Sequence, residues 1–203
     1  MNAKAIGVII AFTALTTALN FVRIPAPYFP MVLSYQLSDV VLIIAFLLFG
    51  LRAGIVIAGL NMLIKMTVFP DPSGFVGPPY YLIAFLSMFF GVFLFEKLVK
   101  RQDTSDKHNT SKNVTISTAL GTFTRTLIML PLDYVIYGYL VYIVTGYSLS
   151  EVYAGVIVTM PYFIIYNITV PLVMIPTSYF IAMRVSKYTS SMFKSPFVSQ
   201  KAP

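Results

Sequence analysis

The sequence predicts an all-α membrane protein with six transmembrane helices and both termini in the cytoplasm. Two observations carry this. The chain is 58% hydrophobic and only 10% charged, with a mean hydropathy of +0.82, far from the roughly 25% of charged residues in a soluble domain. Its positive charges also recur on one side of the apolar blocks once those blocks are divided into six. With 203 residues there is room for about five to seven spans of roughly 20 residues each and for no separate soluble domain. The expected organisation is a membrane domain over residues 1–184 followed by a basic, serine-rich tail over 185–203, expected to be disordered. The protein is expected to reside in the cell membrane as a multi-pass chain.

Ala5 to Phe21, between Lys4 and Arg23, reads as the first span. Small residues recur along it at four-residue spacing, Gly7 with Ala11 and Ala14 with Ala18, making a smooth strip that a second backbone could approach. The strip serves either a membrane partner or the protein's own helices. Ile24 to Asp39, IPAPYFPMVLSYQLSD, holds three prolines (Pro25, Pro27 and Pro30) within six residues and cannot be an ordinary helix. With Tyr28, Phe29 and Tyr35 it suits a cover over a pocket, or a stiff linker.

Val40 to Phe69 is long for one span and short for two. Arg52 divides it: at the centre of one span it would cost roughly 2.5 kcal/mol or more, whereas Gly50-Leu51-Arg52-Ala53-Gly54 reads as a turn among headgroups. The second span borrows length from Met31 to Leu37, and the third runs from Ala53 to about Phe69. Pro70 to Pro79 is a loop, Tyr80 to Phe95 the fourth span, and Glu96 to Asn113 a cytoplasmic loop. Thr115 to Ile143 is the fifth span, interrupted by Arg125, Pro131 and Asp133. After a polar turn, Val144 to Glu151, the last span is Val152 to Met183.

Under this division Lys4, Arg52, the cluster Lys97 to Lys112 and the tail lysines share the cytoplasmic side. The net charge of +7 therefore speaks for topology and anionic lipid and not for nucleic acid. Asp39, Lys65, Asp133 and Asn167 fall toward the outer leaflet, where ionisable side chains face a cavity or pair with one another. Arg125 lies deeper and reads as a structural pair or hydrogen-bond hub. Cysteine is absent and the one histidine, His108, lies in the most hydrophilic segment, so no metal site and no cofactor are expected. No nucleophile motif or ligand pair argues for an enzyme. A self-sufficient secondary transporter stays open.

The basic N-terminus with its small-xxx-small span, the P-x-P-Y-F-P loop leading into L-S-Y-Q-L-S-D-V, the G-L-R-A-G turn and the N-M-L-I-K stretch resemble the substrate-binding S-components of energy-coupling factor (ECF) vitamin transporters. The riboflavin-specific branch is the best match. The resemblance implies a vitamin-binding subunit of an ABC-type importer whose partners are a transmembrane coupling subunit and two ATPase subunits. It implies that Gly7, Ala11, Ala14 and Ala18 dock the coupling subunit, and that Tyr35 covers the ligand. Asp39, Asn61, Lys65, Asp133 and Asn167 would line the site, with riboflavin as the transported ligand. Leu132-Asp133-Tyr134 stands where that branch has Leu-Asn-Tyr, and Ile168-Thr169-Val170 follows Asn167 where a lysine is often found. Another vitamin, such as thiamine or biotin, or a base precursor is the alternative ligand.

Overall fold

The computed structural model describes residues 3–28, 33–68, 76–99 and 110–189. Phe29, Pro30, Asp71, His108, most of the basic cluster between Lys97 and Lys112, and the tail beyond Thr189 lie outside the described residues. The described residues are helical almost throughout. Helix α1 is Ala3–Leu19, and two short strands, β1 (Arg23–Pro25) and β2 (Ser34–Gln36), pair with each other. Helix α2 is Ser38–Phe49, α3 is Leu51–Val68, and α4 is Gly77–Leu94 with a closing π-helical turn at Phe95–Val99. Helix α5 runs through Thr110–Leu132, a π-helical turn at Asp133–Tyr137, and Gly138–Thr145, and α6 is Leu149–Thr189.

Among the described residues four stretches are long and apolar enough to cross a membrane: Leu51–Val68, Gly77–Lys97, Ser111–Ile143 and Leu149–Ser186. Two apolar helices are shorter, Ala5–Leu19 and Ser38–Phe49. The second span was expected to borrow residues from Met31 to Leu37, but part of that segment is instead strand β2, and α2 is only 12 residues long, about 18 Å of helix. The proline-rich stretch is thus a hairpin and not a plain linker, closed by Ala26 N–H donating to the Leu33 carbonyl at 2.9 Å.

Other boundaries differ for local reasons. Gly50 alone makes the α2–α3 turn: its φ of 89° is open to glycine, and Arg52 already lies in the first turn of α3, exposed. Pro78 and Pro79 belong to the first turn of α4 and not to the loop, because first-turn N–H groups have no helical partner to lose. Pro131 does not interrupt α5; the helix absorbs it and widens into the π turn two residues later. Glu151, expected in a polar turn, caps α6. Ser148 N–H donates to its carboxylate at 3.0 Å, and the Glu151 N–H donates to Ser148 Oγ at 3.4 Å, a capping box.

The residues cluster into two compact units, 1–24 with 35–82 and 173–203, and 25–34 with 83–172. In the first, α1, α2 and α3 pack against one another, and α2 is buried on every side from Ser38 to Leu48. This explains its near-continuous apolar sequence, VVLIIAFLLF. Phe12 of α1 meets Phe49 edge-on at 5.1 Å, and Ser178 Oγ of α6 donates to the Val40 carbonyl at 3.2 Å. Along α1 and just past its end the buried positions Ile9, Thr13, Thr16 and Asn20 recur every three or four residues, leaving Gly7, Ala11, Ala14 and Ala18 exposed.

In the second unit α4 and α5 cross at two glycines. A Cβ on Gly91 would fall 2.6 Å from Gly121 Cα and closer still to the Leu120 carbonyl oxygen and Thr124 Oγ1. Backbone cannot retreat as a flexible side chain can. Gly91→Val is expected to cost about 1–3 kcal/mol by overpacking, whereas Gly155→Ala, which meets nothing within 4 Å, is expected to leave stability unchanged. Thermal melts of the detergent-purified variants check this, and equal midpoints for the two would contradict the close crossing.

Candidate functional site

Both units place polar side chains in their interiors. In the first, Asp39 is 3% and Lys65 is 4% exposed. Asp39 stands in the first turn of α2, where a carboxylate suits the helix dipole. Its carboxylate accepts from the Tyr81 hydroxyl, which also bonds Ser38 Oγ at 3.2 Å. Lys65, in the last turn of α3, donates to Gln36 Oε1 of β2, and its Nζ lies 3.1 Å from the centroid of the Tyr81 ring. One tyrosine thus serves the anion with its hydroxyl and the cation with its π face. Lys65 also ties the strand that follows the proline-rich segment to α3. Tyr35 sits between Ser34 and Gln36 on that strand, half-buried.

Asn61, at the middle of α3, is engaged from α1: Asn20 Nδ2 donates to its Oδ1 at 2.7 Å. The complementary atoms of this pair, Asn20 Oδ1 and Asn61 Nδ2, are buried without a hydrogen bond. Between α1 and α3, Ala14 and Ala18 line a groove of about 530 Å³ with Ile10, Thr13, Thr17 and, from α3, Leu60 and Ile64. Its walls are almost wholly apolar.

In the second unit Arg125, Asp133 and Asn167 are 4%, 1% and 2% exposed. The π turn matters here because Asp133 is its first residue; such turns re-aim side chains and occur often at functional sites. Asn167 Nδ2 donates to Asp133 Oδ2 at 2.6 Å, and Arg125 Nε donates to Asn167 Oδ1 at 3.1 Å. A second guanidinium nitrogen donates to the Ala84 carbonyl of α4 at 3.3 Å, and the group lies 5.6 Å from the Tyr166 ring. Tyr166 in turn donates to the Ser34 carbonyl at 2.6 Å, and the Tyr28 hydroxyl bonds Thr169 Oγ1 at 3.1 Å. Residues on α6 therefore hold both arms of the proline-rich hairpin.

The structure thus joins Asp39 with Lys65 through Tyr81, and Asp133 with Asn167 directly. It sets Asn61 against α1. Sequence reasoning missed Asn20, Tyr81 and Tyr166. Asn20 follows the last turn of α1 and looks like an ordinary helix end. Tyr81 and Tyr166 are two of 14 tyrosines with no local mark to separate them. Among the described residues no group of three His, Cys, Asp or Glu side chains could hold a metal ion.

Three comparisons agree on what carries this architecture. The family described as the substrate-specific component of the ECF transporter matches residues 6–195. The riboflavin transporter FmnP of Bacillus subtilis (strain 168) is 30% identical over 138 residues, 67% of each chain. A solved structure of the S component of a bacterial ECF transporter superposes with a TM-score of 0.69 at 22% identity, over 91% of this chain and 96% of the other. That likeness shows the fold, and the family match spans nearly the whole chain. The chain belongs to the ECF transporter substrate-specific components, a family of substrate-binding transporter subunits and not of enzymes.

Proposed function

We propose that this protein is the riboflavin-binding membrane subunit of an ECF-type ABC importer. The observation that carries the ligand is the 30% identity to a riboflavin transporter. The Asp133–Asn167 pair supports it with a carboxylate and an amide at adjacent positions, the groups needed to meet the donor-acceptor edge of a flavin ring. The 17 Phe and 14 Tyr residues can pack its faces. Tyr35 belongs to the cover, with Asp39, Asn61 and Lys65 toward the polar end of the ligand. A carboxylate at 133 would repel a nearby phosphate, so the unphosphorylated vitamin is the substrate. Six helices cross the membrane with both termini in the cytoplasm, the two short ones included, and the groove beside Ala14 and Ala18 docks the transmembrane coupling subunit, whose energy comes from two ATPase subunits.

Three experiments check these statements. The first is titration of the purified protein with riboflavin, flavin mononucleotide, thiamine and biotin, with riboflavin quenching expected at the lowest concentration. Asn167→Ala should weaken it by roughly tenfold to a hundredfold, because it removes a hydrogen bond to the ligand together with the amide that links the buried Arg125 and Asp133. Preference for thiamine or biotin would discard the flavin and leave the family intact. Second, Ala14→Leu with Ala18→Leu should abolish uptake in cells while the vitamin affinity stays at the wild-type value, and joint loss would make the strip internal packing. Third, because the chain has no cysteine, Arg52→Cys and Ser105→Cys can be probed singly. Both should react with an impermeant thiol reagent only from the cytoplasmic side, and reaction from outside would refute the topology.

A further inference from the structure

Arg125 is a buried cation for which the binding scheme above has no use. It lies on α5 eight residues before Asp133, about two helical turns away, and reaches Asn167 on α6 and the Ala84 carbonyl on α4. A guanidinium carries donors only and a carboxylate carries acceptors only. The amide of Asn167 stands between the two, so just one of its orientations works. Oδ1 must face Arg125 and Nδ2 must face Asp133, as found at 3.1 and 2.6 Å. The flipped amide would set N–H groups against the guanidinium and a carbonyl against the carboxylate. What Asn167 has left is one N–H and one lone pair, in a fixed order.

We propose that Arg125 is the positioning residue of the substrate site, orienting Asn167 and balancing the charge of Asp133 through it. This rests on the assignment of Asp133 and Asn167 to the ligand. Removing the cation alone takes one positive charge from the surroundings of the buried carboxylate and frees the Asn167 amide to turn, whereas removing both charges together restores the charge balance. A substitution at Asp133 should therefore repair one at Arg125.

The experiment is a double-mutant cycle on the full chain in detergent, with Arg125→Met, Asp133→Asn and the pair, read by riboflavin fluorescence quenching and by the thermal midpoint without ligand. Arg125→Met is expected to weaken riboflavin roughly a hundredfold, and the double variant to return to within about threefold of Asp133→Asn alone. Losses that simply multiply, or a lowered midpoint with unchanged affinity, would overturn the proposal and leave Arg125 a packing residue. Should Arg125→Met fail to fold, Arg125→Lys keeps the charge but not the fork that reaches Asn167 and Ala84 at once. Its affinity should fall while its midpoint holds, and wild-type affinity would refute the idea. If the wild type binds thiamine or biotin in place of riboflavin, only the choice of vitamin has failed. The same cycle titrated with that vitamin then decides by the same two outcomes. A wild type that binds none of the three overturns the positioning role together with the site.

Discussion

An interior with little water cannot hold a charge that is not answered, and among the described residues four are buried: Asp39, Lys65, Arg125 and Asp133. In each unit one neutral side chain touches both an acid and a base. Tyr81 does so with hydroxyl and ring, and Asn167 with the two ends of its amide. The elements that must meet for these contacts are far apart in sequence, so the networks also specify packing. Gln36 of β2 goes with Lys65 of α3, and Ala84 of α4 with Arg125 of α5. An apolar core of the same volume would be indifferent to many of the alternatives that a buried charge forbids.

Such networks suit a protein that must hold a polar small molecule inside a lipid-soluble body. A ligand with a hydrogen-bonding edge needs partners that are already oriented, since side chains that must be reoriented on binding subtract from affinity. The hairpin from Arg23 to Gln36 is placed by the same means. Tyr166 and Thr169 hold its arms through Ser34 and Tyr28 within one unit, while Lys65 holds Gln36 within the other.

Much of the helical order was legible in the sequence because charge and glycine mark ends. Arg52 is costly in mid-membrane, so the block from Val40 to Phe69 had to divide near it, and Gly50 is where it does. The proline-rich segment was legible as a break but not as a hairpin. Its strands are three residues each, below any periodicity that could be counted. Prolines misled at Pro78, because a residue that stops a helix from within is harmless at its start. At the site, Asp133 and Asn167 were reachable by resemblance, whereas their link to each other and to Arg125 spans 34 and 42 residues of chain and has no local signal. Tyr81 and Asn20 stayed hidden because buried hydrogen bonds leave no compositional trace.

The π turn at Asp133–Tyr137 has a consequence for comparing this chain with its relatives. Such a turn is one residue more than an α-helix needs over the same rise, so it behaves as an insertion concealed within regular structure. Side chains on either side of it are out of phase by about 100° relative to an uninterrupted helix. A relative whose fifth helix lacks the turn can align here without a gap and still present different faces of its residues beyond Pro131. Position by position, identity in that helix then reports on ancestry more faithfully than on which atoms meet the substrate.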